Sequence, residues 1–134
     1  MSIQLINIQE KVYELGGRLN APRTLLVVHD KSVDDGTPYV RIDNGVFHYI
    51  SSERGYELFN KVAPSLDVLL YWILDRVVSR LAMDYELHHR VEGQDSRRVY
   101  FSKRIELMKE IDPRWGDMVG QDIEGILKTN PYID

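Results

Sequence analysis

The sequence predicts an α+β fold with an N-terminal helix, a three- to four-stranded antiparallel meander, and then three C-terminal helices packed on it. Three observations indicate this fold. Apolar residues recur at steps of three and four at the start of the chain and through its second half, as on one face of a helix. Between these regions, turn formers separate short runs rich in β-branched and aromatic residues. Strands and helices do not alternate along the chain, so a parallel sheet is not expected.

The first helix is predicted over about residues 3–19. Its apolar face consists of Leu5, Ile8, Val12, Leu15 and Leu19. Ala21-Pro22 ends this helix, because proline disfavours helical backbone in the residue before it. The β-branched and leucine-rich residues 24–28 then predict a short strand, and the acids and turn formers of residues 30–38 predict an exposed loop.

A β-hairpin is predicted after this loop. Residues 39–42 and 46–51 are both rich in β-forming residues, and they flank Asp43-Asn44-Gly45. Turn residues of this type between two such runs are a strong hairpin signal. Residues 56–62 form a third run of the same kind, which predicts that the hairpin extends into a meander.

A long central helix is predicted after Pro64, with Ser65 as its N-cap and Asp67 in its first turn. The apolar positions that share one face are Leu66, Leu69, Leu70, Ile73, Val77 and Leu81. If this helix continues to His89, it holds about 25 residues and is about 37 Å long.

Two more helices are predicted after Gly93. Asp95 or Ser96 caps the first of them, and its apolar positions are Phe101, Ile105, Met108 and Ile111. Asp112 caps the last helix, with Pro113 at the first helical position, where its missing N–H is not needed. The apolar stripe of that helix includes Trp115, Met118 or Val119, Ile123, Ile126 and Leu127, and Asn130-Pro131 ends it.

The sequence contains no recognisable catalytic motif. Cysteine is absent, no serine lies in a G-x-S-x-G frame, and the glycines form neither G-x-G-x-x-G nor a P-loop. His88 and His89 diverge by about 100° on a helix, and His88 with Asp84 would supply only two metal ligands. We therefore predict no catalytic residues, no metal site, no cofactor and no enzyme activity; a small metal- or histidine-dependent enzyme is the weakest alternative.

Composition predicts the class of partner and the compartment. The 134 residues carry 17 Lys and Arg against 21 Asp and Glu, a formal charge of −4, which disfavours nucleic acid as a partner. The longest apolar run, residues 68–74, is far shorter than the about 20 residues that span a bilayer, so no membrane partner is expected.

Without cysteine or a recognisable secretion signal, a cytoplasmic protein is predicted. No repeat or composition break interrupts the chain, which predicts a single domain over 1–134.

Three segments of the second half carry a resemblance to a known family. They are residues 66–73 (LDVLLYWI), 85–98 (YELHHRVEGQDSRR) and 101–103 (FSK). Together they resemble the bacterial immunity protein 63 family of polymorphic toxin systems. The likeness extends to Asn20-Ala21-Pro22 and to Glu53-Arg54-Gly55, whereas residues 24–38 match nothing. The resemblance implies a cytoplasmic antidote that binds a cognate toxin domain and blocks it, and it implies no catalytic residues.

On that hypothesis, the toxin would contact acidic loops and tyrosines of the sheet. The predicted partner-binding residues are Asp30, Asp34, Asp35, Tyr39, Asp43, Tyr49, Tyr56 and Glu57. A second group is predicted to be a structural polar network that holds the central helix to the next one. Its members are Arg76, Tyr85, Glu86, Arg90, Arg97 and Arg98. A non-catalytic adaptor that binds another cytosolic protein is the alternative function, and the oligomeric state is left open.

Overall fold

The computed structural model describes residues 2–134, of which 55% are helical and 17% lie in strands. An N-terminal helix is followed by a three-stranded antiparallel sheet and three helices, which confirms the predicted α+β class and order of elements. The chain forms two compact units: residues 2–17 and 21–74 make up unit 1, and residues 18–20 and 75–134 make up unit 2. The assignment of 1–134 to one domain stays a prediction.

Helix α1 (Ile3–Gly17) begins where the hydroxyl of Ser2 accepts a hydrogen bond from the Leu5 N–H at 3.2 Å. Four of the five predicted apolar positions are buried within the helix, namely Leu5, Ile8, Val12 and Leu15. The fifth, Leu19, lies beyond the end of α1, which is two residues shorter than predicted.

The predicted strand over residues 24–28 is wrong. Residues Arg23–Leu25 form a single 3-10 turn, and the residues after it are irregular. The side-chain amide of Gln9 in α1 donates to the Leu26 carbonyl at 2.7 Å and accepts from the Val28 N–H at 2.7 Å. These backbone groups are therefore paired with a helix side chain instead of a neighbouring strand, while the side chains of Leu26 and Val28 are buried.

The sheet consists of β1 (Tyr39–Asp43), β2 (Val46–Glu53) and β3 (Tyr56–Ala63), in the order β1-β2-β3. The predicted hairpin and meander are confirmed. Asn44 and Gly45 have φ of 49° and 78°, the positive values that a two-residue hairpin turn with matching twist requires. A second turn of the same kind joins β2 to β3. The register of these two strands shifts between Ser51 and Ser52, where β3 contains one extra residue.

The core of unit 1 includes residues of α1, of the sheet and of the first turns of helix α2 (Leu66–His88). The buried strand residues lie on both faces of the sheet, with Val40, Tyr49, Ser51 and Ala63 on one face and Ile50 on the other. The helix begins as predicted, because the Ser65 hydroxyl accepts a hydrogen bond from the Val68 N–H at 3.2 Å. Leu69, Leu70 and Leu74 are buried, whereas the predicted core residue Leu66 is 42% exposed.

Unit 2 contains the rest of α2, α3 (Arg97–Ile111) and α4 (Pro113–Thr129). Asp95 supplies the capping oxygen of α3, since its carboxylate accepts the Arg97 N–H at 3.0 Å. Asp112 caps α4 as predicted by accepting the Arg114 N–H at 2.9 Å. The buried apolar residues of α3 and α4 are Phe101, Met108, Ile111, Trp115, Val119 and Ile123. Among the helices formed by residues 2–134, none is both long and apolar enough to cross a membrane.

Candidate partner-binding surface

Strand β3 is exposed along almost its whole length. Seven of its eight residues are exposed, and only Ala63 is buried. Four of the exposed side chains are large and apolar: Tyr56 is 76% exposed, Leu58 56%, Val62 55% and Phe59 36%. Large exposed apolar side chains that are concentrated in one segment mark interaction sites more often than scattered single ones do. We call Tyr56, Leu58, Phe59, Lys61 and Val62 the β3 surface.

The exposure of β3 follows from its sequence and its place in the meander. As the last strand it lies at the edge of the sheet, with β2 as its only strand neighbour among residues 2–134. Its apolar residues do not alternate strictly, because Leu58 and Phe59 are adjacent where the extra residue of β3 falls. Apolar side chains therefore occur on both faces of the strand, and a single core cannot cover both.

Lys61 is held against three aromatic rings. Its ammonium nitrogen lies 4.3 Å from the ring centroid of Trp72, 5.3 Å from that of Phe59 and 5.7 Å from that of Tyr49. The Tyr49 ring centroid is 5.9 Å from Phe59 and 6.1 Å from Trp72, so the rings form one cluster. A cation is attracted to the faces of such rings. The lysine side chain is consequently folded back over Trp72.

The loop over residues 30–38, which we call the acidic loop, is hydrogen-bonded to the turn between β2 and β3. The carboxylate of Asp34 accepts the Gly55 N–H at 2.7 Å, and its carbonyl accepts the Arg54 N–H at 3.3 Å. The Gly36 N–H donates to the Ser52 carbonyl at 2.9 Å. These bonds place the loop beside the start of β3.

The predicted polar network consists of separate groups within unit 2. Glu86 is 5% exposed and its carboxylate accepts from Nε of Arg90 at 3.0 Å. Arg97 donates to Asp95 at 2.9 Å, and to the carbonyls of Asn130 and Pro131 at 2.8 Å each.

Two further residues of this group contact other parts of unit 2. Arg98 pairs with Asp134 at 2.9 Å. Tyr85 of α2 stacks on His89, with ring centroids 3.8 Å apart. The ammonium group of Lys103 from α3 lies over the Tyr85 ring, 4.3 Å from its centroid. Arg76 is exposed. The role of the group as a scaffold stays a prediction.

Hydrogen bonds donated by Arg97 shift the pKa of Asp95. The side-chain bond from Arg97 is the main reason that the pKa of Asp95 lies well below the ordinary carboxyl value, and the backbone N–H groups of Arg97 and Ile133 act in the same direction. In return, Asp95 raises the pKa of Arg97. A small polar pocket of about 170 Å³ lies beside this pair, lined in part by Glu86, Gln94 and Ser96.

The histidines near the end of α2 bond to their own helix. Nδ1 of His88 lies 2.8 Å from the Asp84 carbonyl, and Nδ1 of His89 lies 2.8 Å from the Tyr85 carbonyl. Within residues 2–134, no three His, Asp or Glu side chains are grouped so that they could hold a metal ion.

A family model described as Immunity protein 63 matches residues 43–125, more than half of the chain. The chain belongs to the Immunity protein 63 family. Neither a curated protein nor a solved structure matches the chain. Membership in an immunity protein family implies a protein partner. The matched region includes β3, α2 and α3, whereas the acidic loop lies outside it.

In this member of the Immunity protein 63 family, four of the predicted partner-binding residues come together. Asp34 and Asp35 lie in the loop beside the β2–β3 turn, and Tyr56 and Glu57 begin β3 next to that turn. All four are exposed. They lie beside the N-terminal end of β3, and together with the β3 surface they make up the candidate region.

The other predicted residues lie elsewhere. Asp43 is at the opposite end of the sheet, where its carboxylate pairs with Nε of Arg41 at 2.8 Å. Tyr49 is only 7% exposed and supports the aromatic cluster under Lys61. Asp30 is exposed and follows His29, which forms an isolated β-bridge with Tyr39. Tyr39 itself is half-buried.

Sequence reasoning missed most of the β3 surface. Leu58, Phe59, Lys61 and Val62 were absent from the predicted set, because the run was assigned only as a third strand. Two signals were available: the run is the last of the meander and so lies at an edge, and its adjacent apolar pair breaks the alternation of a strand with one buried face.

Proposed function

We propose that this protein binds a cognate polymorphic toxin domain in the bacterial cytoplasm and neutralises it, using the β3 surface and the acidic loop beside it. The observation that carries the proposal is the exposure of four large apolar side chains on one strand of a chain from an immunity protein family. The exposed parts of these side chains contribute nothing to folding in water. Fully burying an exposed apolar side chain is worth about 1.5–3 kcal/mol of transfer free energy, and a partner would gain a share of this in proportion to the surface still exposed.

The chemistry of the region describes the toxin surface that fits it. Tyr56, Leu58 and Val62 require an apolar patch, and an exposed tyrosine is a frequent anchor in such patches. Asp34, Asp35 and Glu57 favour basic groups at one end of that patch, where opposite charges would speed association. Specificity would then depend on the match between the apolar strand and the acidic end together.

Unit 2 would contribute to toxin binding only by stabilising the fold. We propose that Glu86, Arg90 and Arg97 maintain the helical part of one domain over 1–134 and make no contact with the toxin. The family implies no catalytic residue for either unit, and inhibition is proposed to result from binding alone.

The test is co-expression with the toxin domain encoded next to this protein, scoring growth and co-purification. Leu58→Glu in β3 is compared with Leu87→Glu in α2, because these two leucines are 56% and 53% exposed. We expect the wild type and Leu87→Glu to restore growth and co-purify with the toxin, and Leu58→Glu to do neither. Circular dichroism checks that both variants are folded.

Two outcomes would count against the proposal. If the wild type neither restores growth nor co-purifies, the toxin is not its partner. If Leu58→Glu protects cells as well as Leu87→Glu does, the toxin binds another surface.

A further inference from the structure

The two edges of the sheet differ in how their backbone groups are used. On the β1 side, the Val40 N–H donates to the His29 carbonyl at 2.9 Å, and the loop at Gly36 bonds to Ser52 beyond the start of β1. The segment before the sheet therefore covers this edge. On the β3 side, none of the hydrogen bonds formed by residues 2–134 joins a backbone group of the outer edge.

The strand register identifies the uncovered groups. Backbone groups of successive residues in an antiparallel strand point to alternate sides. The Ser52 carbonyl bonds on the β1 side, so Ser51 and Tyr49 of β2 point toward β3. Their partners Phe59 and Lys61 point back toward β2. Asn60 and Val62 consequently direct their N–H and C=O groups outward.

The outer edge of β3 lacks the protection that edge strands usually carry. Natural sheets shield long edges with projecting charges, prolines or covering segments. The one lysine of β3, Lys61, lies over Trp72 at 4.3 Å on one face of the sheet, so its charge stands beside the strand and does not project across the outer edge. Pro64 comes only after the strand has ended. The register shift protects one end of β3 and leaves the stretch from Phe59 to Ala63 regular.

We propose that this stretch accepts an extended segment of the toxin domain as a fourth strand of the sheet. The inference rests on the proposed function, which supplies the toxin as the partner. Main-chain hydrogen bonds to Asn60 and Val62 provide the attachment, as in other cases of strand addition. Side chains of the segment would pack on Val62 on one face and lie beside Lys61 on the other.

The charge of Lys61 determines which toxin segments fit beside β3. Oppositely charged residues on neighbouring strands stabilise the pair, and like charges opposite each other destabilise it. A toxin strand with an apolar residue beside Val62 and a carboxylate beside Lys61 fits this edge.

The same charge disfavours a second copy of this chain at the edge. If two β3 edges paired antiparallel so that the outward backbone groups of Asn60 and Val62 were hydrogen-bonded in both copies, Asn60 of each copy would face Val62 of the other. The two Lys61 residues would then lie directly opposite each other, with their ammonium groups on the same face. The toxin strand is therefore the better occupant.

The first test removes one outward donor. Val62→Pro deletes the outward N–H without removing a bond to β2, and proline is tolerated at sheet edges. Val62→Thr is the control, since it has the same branched shape and keeps the N–H. Because Val62→Thr itself loses apolar contact, the comparison is between the two variants: we expect Val62→Pro to bind the toxin at least about tenfold more weakly than Val62→Thr does.

The second test needs no variant. In the free protein, the amides of Asn60 and Val62 should exchange rapidly with deuterium and become protected when the toxin is bound. The Lys61 amide, which faces β2, is the internal control and should be protected in both states.

Three results separate the alternatives. If the toxin is bound and neutralised but the Val62 amide stays unprotected and Val62→Pro binds like Val62→Thr, strand addition is wrong and the proposed function survives. If the wild type does not bind the toxin, the proposed function itself fails. If the free protein sediments as a dimer with a protected Val62 amide, a second copy occupies the edge and the inference is overturned.

Discussion

Strand β3 and the connection between α2 and α3 both carry many exposed side chains, but they use them in opposite ways. Along β3 the exposed groups are mainly apolar, and Tyr56 has 76% of its surface in solvent. Around the connection between α2 and α3, charged side chains pair with one another: the exposed Arg90 bonds to the buried Glu86, and Arg97 bonds to Asp95. Satisfied charges maintain a fold, whereas uncovered apolar groups gain free energy only when a partner arrives.

The largest effect is expected when one tyrosine from each region is removed. Tyr56→Ala should weaken toxin binding by about 2 kcal/mol, roughly 30-fold, and change the free energy of unfolding by less than about 0.5 kcal/mol. Tyr85→Ala should reverse this pattern and lower the unfolding free energy by about 1 kcal/mol, because Tyr85 stacks on His89 and Lys103. Calorimetric titration and urea denaturation measure the two quantities. If both variants lost the same amount of toxin affinity, the proposed difference between a binding role for Tyr56 and a structural role for Tyr85 would be wrong.

The next effect concerns Asp95 and depends on pH. Its pKa lies below the ordinary value of 3.8, chiefly because of the bond from Arg97, so the folded state favours the charged carboxylate. The stabilisation is complete above pH 3.8 and is lost as the pH falls through the lowered pKa. Asp95→Asn should therefore lower Tm most at neutral pH, and its difference from the wild type should shrink below pH 3.8.

The control for this prediction is Asp122→Asn, which removes one exposed charge from α4. Thermal unfolding is followed from pH 7 down to the most acidic pH at which the protein still refolds. A difference between Asp95→Asn and the wild type that grows on acidification would contradict the prediction. Toxin affinity at neutral pH should not change in either variant.

A smaller loss of stability is expected when Arg90 is removed. Arg90 is 64% exposed, but its partner Glu86 has a side chain only 7% exposed, and Arg90→Ala leaves that carboxylate without its ion pair. We expect a loss of about 1 kcal/mol. Arg80→Ala is the matched control, because Arg80 and Asp84 have the same spacing and are both exposed; it should cost less than about 0.5 kcal/mol. Equal losses in urea denaturation would mean that the burial of Glu86 has no effect.

The smallest expected effect is kinetic. Asp35→Lys should slow toxin association about threefold at low salt and leave the dissociation rate nearly unchanged, because an exposed charge acts mainly on the encounter. Glu124→Lys makes the same change of charge at an exposed position of α4 in unit 2. Stopped-flow measurements at two salt concentrations compare them. If the two variants associate equally fast at low salt, Asp35 lies outside the interface.

The features that sequence reasoning predicted correctly depend on local chemistry. Asn44 and Gly45 adopt the positive φ that the hairpin turn needs, and Asp112 with Pro113 begins α4, because these properties belong to the residues themselves. The family resemblance, based on residues 66–103, was confirmed by the match to residues 43–125.

The features that it missed depend on distant partners. Residues 24–28 did not form a strand because Gln9, 17 residues before Leu26, takes up their backbone groups. Arg97 and Arg98 bond to residues 33 to 36 positions away at the end of the chain, and no local pattern in the sequence identifies these partners. Tyr49 was placed on the binding surface, but its burial depends on how the sheet packs on Trp72.

Under the proposed strand addition, the extra residue of β3 limits the length of strand with which a toxin segment can pair. Beyond that irregularity only five residues, Phe59 to Ala63, continue in regular register with β2. A pairing segment of that length is about 17 Å long. Recognition would then depend on very few toxin positions, so one substitution in that short segment, such as a proline, could let a toxin escape its antidote.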